Sequence, residues 1–441
     1  MNKWAGPLAV MAVFGATVAP ARAEDGALKL DATIRIRGEA IDNHFRPGVV
    51  GSDAALFFRT NLFAEYNTGP LRIAAEIQDS RAYFERRHGS VSSNEVNALE
   101  PIQAYVAIDL AQRATLQLGR FTMDLGSRRL VARPMWRNTS TSFTGARFDW
   151  KSTGGDKLTA FWTMPQTRLP DDSEGVHDNK VALDRERSAR QLFGATATKA
   201  GVMGGIAELY SYRLVERDAP GFATRNRRLW TSGIHFARPA KAGRIDYDVE
   251  ATWQTGTTRL STAASDLVDH RVSAWLVHGT IGKTFAGGWT PRIAINADYA
   301  SGDTSAAGYG RFDTLFGDTV FEFGPPDLYS AVTRSNLVSV ELRAEARPNK
   351  RTELMASVRP LWLASATDSF ANTGVRDPAG SAGHYAGTQL DTRIRYWIRP
   401  DRIRVSAGAA TLFKGRFLQT AANAPATGDT HYGFLETTLS F

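Results

Sequence analysis

Strict alternation of apolar and polar side chains is the feature that most constrains how this chain folds. In the segment LDATIRIRGEAI, residues 30–41, aliphatic residues or glycine fill every even position, and charged or polar residues fill nearly every odd one. A period of two predicts a β-strand whose two faces meet different surroundings. Either the apolar face covers a soluble core, or it faces lipid while the charges line a water-filled lumen.

The same alternation recurs in about eighteen segments along the chain. They are joined in turn by short turns, such as NTGP and STGGD, and by long polar loops, of which the longest cover residues 165–189 and 301–336. A soluble β-sandwich would not keep this alternation through so many connections. We therefore predict an all-β fold, a single transmembrane antiparallel β-barrel of about 18 strands with long extracellular loops and short periplasmic turns.

The first residues of the chain predict export. MNKW provides a cationic start, LAVMAVFGATVA an apolar run, and ARA at 21–23 a small-residue cleavage site. We predict a signal peptide over residues 1–23, cleaved after Ala23, and one barrel domain over 24–441 in the bacterial outer membrane. No later apolar run is long enough for a helical membrane span, and the absence of cysteine excludes disulfides and thiolate metal sites.

The two ends of the predicted sheet fix which face is outside. The segment YGFLETTLSF ends on Phe441 with mostly apolar residues or glycine at alternate positions before it, which resembles the assembly signal of outer-membrane barrels. If the strand at 30–41 slipped by one residue, Arg35 and Arg37 would face lipid, at about 2–4 kcal/mol each near the midplane. Lipid tolerates no open sheet edge, so the sheet closes and the charged face lines the lumen.

The predicted lumen is strongly charged and mixed in sign, and arginine outnumbers lysine roughly four to one in the chain. The inward basic candidates are Arg35, Arg37, Arg59, Arg72, Arg343, Arg393 and Arg395. Their inward acidic partners are Glu39, Glu65, Glu76, Glu341 and Asp391. These groups either neutralise each other across neighbouring strands and stiffen the wall, or leave some guanidinium groups free to hand an anionic solute along the pore.

Several stretches, in their order, resemble the alginate-export family of outer-membrane porins. They include IRIRGEAI, LFFRTNLFAEY, LRIAAEIQDSR and LQLGRFTMDLGSRRLVARPMWRNTSTSFTGARFDW. The resemblance implies an eighteen-stranded barrel whose arginine-rich constriction passes a uronic-acid polymer outward. Carried over by position, it implies selectivity roles for the inward basic residues Arg35, Arg37, Arg59, Arg343, Arg393 and Arg395. Arg129 and Arg133, in the loop SRRLVARPMWRN, either fold inward to narrow the pore or face outward toward lipopolysaccharide phosphates.

The function predicted from these features is passive passage of an anionic, uronate-type polysaccharide or oligosaccharide. The main alternative on the same fold is a general or small-anion uptake porin. An outer-membrane enzyme is less favoured, because neither G-x-S-x-G nor H-E-x-x-H occurs and the eight histidines lack ligand spacing. We therefore expect no catalytic residue.

We also expect no cofactor and no metal. The loop carboxylates lack the spacing of a calcium-binding loop and are predicted to be solvated charges; they are Asp303, Asp313, Asp318, Glu322 and Asp327. The expected partners are outer-membrane lipid and lipopolysaccharide, an anionic saccharide or small anionic solute, and periplasmic export or assembly proteins. No nucleic-acid partner is expected.

Overall fold

A computed structural model describes residues 28–304 and 308–441, so the predicted signal peptide lies outside the described residues. The first nine strands are β1 (Leu28–Asp42), β2 (Asp53–Asn67), β3 (Leu71–Tyr83), β4 (Asn97–Ala111), β5 (Ala114–Phe121), β6 (Phe143–Lys151), β7 (Lys157–Pro165), β8 (Arg190–Val202) and β9 (Gly205–Glu216). The next nine are β10 (Arg228–Arg238), β11 (Ile245–Thr258), β12 (His270–Thr284), β13 (Arg292–Ala300), β14 (Leu337–Asn349), β15 (Thr352–Trp362), β16 (Tyr385–Arg399), β17 (Ile403–Lys414) and β18 (Thr430–Ser440). Three short helices lie in loops: α1 (Ser173–His177), α2 (Val320–Phe323) and α3 (Arg416–Thr420).

The strands form one closed antiparallel ring. Each strand pairs with its neighbours in sequence, and β1 also pairs with β18, where Arg37 lies opposite Glu436. Closure leaves no open edge, so backbone N–H and C=O groups are paired within the membrane. The predicted 18-stranded transmembrane barrel is confirmed.

The connections alternate in length as predicted. Links from even to odd strands are short, as at 68–70 between β2 and β3, whereas links from odd to even strands are long, as at 166–189 between β7 and β8. All short turns therefore lie on one rim of the barrel and all long loops on the other. In an outer-membrane barrel the short-turn rim faces the periplasm.

Side chains alternate across the barrel wall. In β11, Val249 and Trp253 are about half exposed on the outer face, whereas Glu250, Thr252 and Gln254 are buried on the inner face. This is the expected division between lipid and lumen. No helix among the described residues is long and apolar enough to cross a membrane.

Two long loops fold into the barrel and pack against each other. We name residues 122–142 loop A, and the described residues 301–304 and 308–336 loop B. The backbone N–H of Phe316 in loop B donates to the Leu130 carbonyl of loop A at 2.9 Å, and Ala132 N–H donates back to the Phe316 carbonyl at 3.1 Å. The Phe316 ring meets Phe143 edge-on with centroids 5.6 Å apart. The buried apolar core thus lies where these loops meet inside a lumen otherwise wide enough for water.

Candidate functional site

Loop A runs across the lumen from one wall to the opposite wall. At one end, the Arg129 guanidinium lies 2.9 Å from Asp248 and 2.6 Å from Glu250, both on β11. At the other end, the Met135 carbonyl accepts a hydrogen bond from Arg59 of β2 at 3.0 Å. Because β2 and β11 are half a ring apart in an eighteen-stranded barrel, loop A spans the pore. Of the two alternatives for Arg129, inward folding is observed.

Arg133 extends the same arrangement to β3. Its two terminal nitrogens donate to the Glu76 carboxylate at 2.8 and 2.6 Å. Glu76 also accepts from Asn61 at 2.7 Å and from Gln103 at 2.5 Å. Arg133 therefore points to the inner wall rather than out of the barrel, and it holds the middle of loop A in place.

Arg35 of β1 binds loop A through its guanidinium group. Its Nη1 donates to the Met135 and Trp136 carbonyls at 3.0 and 2.9 Å, and its Nη2 donates to Asn138 Oδ1 at 3.0 Å. The residue is 2% exposed. Arg35 faces inward as predicted, but both of its terminal nitrogens are bonded to loop A and the side chain is buried, so no solute reaches it in this arrangement.

Arg37 is the most enclosed of the predicted selectivity residues. It is fully buried, lies 2.7 Å from Glu39 and 3.2 Å from Glu436, and pairs with Asp327 of loop B. Its Nη1 also donates to the Trp136 carbonyl at 2.8 Å. This arrangement matches the wall-pairing interpretation and not that of a free guanidinium group.

Loop B is tied to loop A and to the wall through Glu322. Its carboxylate lies 2.5 Å from Arg129 and also pairs with Arg334. The Glu322 backbone carbonyl accepts from Arg343 at 2.8 Å and from Arg359 at 3.0 Å. Burial alone would raise the pKa of Glu322, but the charges of Arg129 and Arg334 outweigh it and hold that pKa well below its usual range.

The loop carboxylates are used as partners for arginine. The expectation of solvated loop charges is wrong at Asp318 and Asp327, which are 2% and 5% exposed. Asp318 lies 3.4 Å from Arg128, and Asp313 lies 2.7 Å from Arg227. The positive charge that a calcium ion would bring is therefore supplied at these positions by the chain itself.

Within residues 28–304 and 308–441, the fold brings together one group with the right atoms for a metal, although the sequence spacing did not reveal it. The possible ligand atoms of His278, Asp298 and Glu322 lie within 4.8 Å of one another. Arg359 donates to Asp298 at 2.9 Å, and Arg129 donates to Glu322 at 2.5 Å. These guanidinium groups neutralise the carboxylates and would repel a cation. The expected absence of a metal stays a prediction.

Arg393 and Arg395, on β16, lie against the side chain of Trp136. Their guanidinium carbons are 5.0 and 4.3 Å from the centroid of the indole ring, within cation–π range. Arg395 lies 3.4 Å from Glu353, whereas Arg393 has no carboxylate within 4 Å among the described residues. Both arginines are partly exposed. Arg59 likewise has no carboxylate within 4 Å among those residues, but its guanidinium group donates to the Met135 and Arg137 carbonyls of loop A, both at 3.0 Å. Within the described ranges, Arg393 and Arg395 make no hydrogen bond to loop A.

The remaining predicted residues lie on the inner wall but do not form one cluster. Arg72 pairs with Asp109 at 3.0 Å, and Glu65 accepts from Tyr105 at 3.1 Å, both toward the short-turn rim. On the other side of the barrel, Glu341 pairs with Arg343 at 3.1 Å. Asp391 is buried beside Gly324 of loop B.

A cavity of about 910 Å³ opens at the short-turn rim and ends at loop A. It is bounded by the turns at 69–70 and 111–114 and by residues 124–126 of loop A. Its charged lining is mixed, with Arg72, Arg113, Arg147, Lys151 and Lys157 beside Asp109, Asp124, Asp149 and Glu208. The cavity therefore leads from the short-turn rim to loop A.

Sequence reasoning assigned no site role to Trp136, Arg334 or Glu436. Glu436 faces inward by parity, yet only the fold shows that Arg37 and Arg404 meet it at 3.2 and 2.9 Å. A lone tryptophan between basic residues in the loop ARPMWRN was the available signal for Trp136. Side chains in a loop do not alternate as they do in a strand, so the sequence does not show whether the Trp136 indole points into or out of the lumen.

A family model described as alginate export matches residues 27–430. The chain belongs to the alginate-export family. Family and closed barrel together identify an outer-membrane channel, a class of protein that is not enzymatic. A search of the curated proteins finds no match for this alginate-export family member.

Solved structures with the same fold include several proteins of Pseudomonas aeruginosa. OccK9 (OpdG) aligns with a TM-score of 0.58 and 12% identity over 94% of this chain and 98% of that one. OccK2 (OpdF), solved in complex with glucuronate, aligns with a TM-score of 0.56 and 12% identity over 95% and 99%. OpdK with vanillate aligns with a TM-score of 0.55 and 12% identity over 94% and 100%. At this identity the likeness of the alginate-export barrel to these proteins shows the fold alone.

Proposed function

We propose that this member of the alginate-export family passes an anionic, uronate-type saccharide passively through its lumen, between loop A and the wall at β16. The observation that carries the proposal is the pair Arg393 and Arg395 flanking Trp136. A uronate unit offers a carboxylate, which fits a guanidinium group, and a sugar ring, whose C–H face packs on an aromatic side chain. The three side chains provide both kinds of contact.

The surrounding charges suit passage rather than tight capture. A channel must bind its solute strongly enough to admit it and weakly enough to release it. Glu353 lies 3.4 Å from Arg395 and competes with a solute carboxylate for that guanidinium group. Arg393 has no carboxylate within 4 Å among the described residues. A solute carboxylate should therefore bind more strongly at Arg393 than at Arg395, and the weaker binding at Arg395 lets it move on.

The geometry of loop A supports this path. Arg35 and Arg37 hold the Trp136 carbonyl at 2.9 and 2.8 Å, which fixes the backbone that carries the indole. The complex of OccK2 (OpdF) with glucuronate shows that a barrel of this fold holds a uronate. Together these observations support a uronate site between loop A and the wall at β16.

The double change Arg393→Gln with Arg395→Gln tests the proposal in planar-bilayer recordings. Each charge-assisted hydrogen bond lost costs about 1.5–3 kcal/mol, toward the low end in a hydrated lumen. We expect block by uronate oligomers to weaken by more than about tenfold, while permeation of a neutral sugar stays within about twofold. The channel before substitution should also prefer anions in its reversal potential.

A matched control also removes two positive charges, but from the lipid-facing side of the barrel wall. Arg238→Gln with Lys283→Gln takes two cations from the outer face of β10 and β12 near the short-turn rim and should leave uronate block unchanged. Unchanged block in the Arg393 and Arg395 variant would reject this site. If the pore instead prefers cations, the inward carboxylates, and not the arginines, determine its charge selectivity.

Uptake of small anions is the second candidate, and the complex of OpdK with vanillate, a small carboxylate, favours it. The two functions differ in the size of the preferred solute. If monomeric glucuronate or vanillate blocks current as well as uronate oligomers do at equal carboxylate concentration, the small-anion function is supported. Stronger block by longer oligomers supports passage of a polysaccharide.

A further inference from the structure

Three arginines lie on the outer face of the barrel near the long-loop rim. Arg213 is on β9, Arg228 on β10 and Arg271 on β12. Arg228 and Arg271 both lie opposite Thr257 of β11, so they flank it at the same height. Arg213 lies opposite Trp230, one outward position lower. The register therefore gathers the three side chains, which we name the rim arginines, on one patch.

The rim arginines point away from the lumen. Their sequence neighbours Leu214, Leu229 and Val272 are 0%, 2% and 5% exposed and face inward. Successive side chains of a strand point to opposite faces. Among the described residues, no carboxylate lies within 4 Å of any rim arginine, although thirty arginine–carboxylate pairs within that distance occur among the other arginines described.

The nearby carboxylates at this rim already have partners. Asp218 lies 2.7 Å from Arg259. Asp269 accepts from the side-chain amide of Asn226 at 3.0 Å. The chain therefore leaves the positive charge of the rim arginines without a local counter-charge.

Aromatic and then aliphatic side chains follow the rim arginines toward the middle of the wall. Arg213 lies 5.2 Å above the Trp230 ring. One outward position further down, Trp253 and Trp275 stack with centroids 5.4 Å apart, and both are 48% exposed. Leu209, Ile234 and Val277 come next and are exposed on the same face. This order, from charged to aromatic to aliphatic, is that of a membrane boundary.

We propose that the rim arginines bind the phosphate groups of lipopolysaccharide in the outer leaflet. Long loops mark this rim as extracellular, so the patch meets the headgroup level of that leaflet. Guanidinium groups bind phosphate through paired hydrogen bonds, and several of them together match an anion with more than one negative charge. A second copy of this chain docked through the same patch would bring like charges together, which disfavours it as the occupant.

The experiment compares binding of lipid A carrying its phosphates with binding of dephosphorylated lipid A. The variant is Arg228→Gln with Arg271→Gln, and binding is measured by native mass spectrometry of the full-length channel in detergent. We expect the unsubstituted channel to prefer the phosphorylated lipid by about tenfold or more, and the variant to prefer it by less than about twofold. Folding of each variant is verified by the gel shift between unheated and heated samples.

The control Arg238→Gln with Lys283→Gln uses the same two strands and the same face at the opposite rim, and should keep the full preference. Equal binding of the two lipids by the unsubstituted channel would overturn the proposal. Equal loss in the control pair, or competition by phosphatidylglycerol as strong as that of lipid A, would also overturn it. A change of oligomeric mass with an unchanged lipid preference would assign the patch to a second copy instead.

Discussion

At the scale of single residues, Glu436 meets the guanidinium groups of Arg37 and Arg404 in different surroundings, and Arg35 lies further away at 3.9 Å. The Arg37 side chain is fully buried and lies 3.2 Å from the carboxylate, whereas the Arg404 side chain is 29% exposed and lies 2.9 Å from it. Water can replace Arg404 but cannot reach the site of Arg37. Breaking a buried ion pair leaves an uncompensated charge, which costs far more than breaking an exposed one.

We therefore expect Arg37→Gln to lower the free energy of unfolding by about 3–5 kcal/mol, because Glu39, Asp327 and Glu436 would lose a shared partner. Arg404→Gln should cost less than about 1 kcal/mol. Urea unfolding of the barrel in lipid vesicles measures both. Similar losses in the two variants would show that burial does not decide the strength of these pairs.

At the scale of structural elements, loops A and B behave as one unit inside the barrel. Arg129 of loop A binds Glu250 of β11 and Glu322 of loop B, both within 2.6 Å. Burial by itself would lower the pKa of Arg129, yet the facing carboxylates raise it well above its usual range. The contact between the loops is thus an ion pair between two groups that both stay charged at neutral pH.

This contact predicts how the loops respond to acid. Because the pKa of Glu322 is lowered by folding, its ion pairs contribute full stability above about pH 4.3, and that stability is lost only as pH falls through the lower, folded value. We expect amide protection in loop A to be unchanged from pH 7 down to about 4.5.

The variant Arg129→Gln tests the same contact from the other side. Without Arg129, burial moves the Glu322 pKa upward again, so loop A should lose amide protection at a higher pH and the channel current should become noisier. Arg128→Gln is the control, because its side chain is partly exposed and lies 3.4 Å from Asp318. Acid sensitivity that is the same in both variants would contradict the assigned role of Arg129.

At the scale of the whole molecule, the barrel closes where its first and last strands meet. Ten residue pairs join β1 to β18, and Phe441 N–H donates to the Ala32 carbonyl at 2.9 Å. The Phe441 side chain is 47% exposed on the outer face. The predicted assembly signal therefore sits beside the seam and remains available to an assembly partner.

Deleting Phe441 should slow insertion into membranes much more than deleting Asp171, which is exposed in the loop at 166–189. The reason is that the deletion removes an outward aromatic side chain and a backbone hydrogen bond at the seam. The heat-dependent gel shift followed over time measures insertion. Equal rates for the two deletions would remove the assembly role of Phe441.

Much of the architecture follows from the sequence by local physics. A strand buried in lipid on one face and wet on the other must alternate, since a one-residue slip reverses every side chain. That rule was sufficient to predict the ring of strands, the alternation of short and long connections and the inward direction of Arg35 and Arg393. The membrane environment then required the ring to close.

The tertiary structure alone decided which arginines a solute can reach. The segments IRIR at 34–37 and TRIR at 392–395 have the same inward pattern of arginines. Arg35 and Arg37 are buried under loop A, whereas Arg393 and Arg395 are partly exposed beside Trp136. The difference arises because the course of loop A depends on contacts with residues far away in the sequence, here Glu76, Glu250 and Glu322. The alternating pattern of the strands does not predict those contacts.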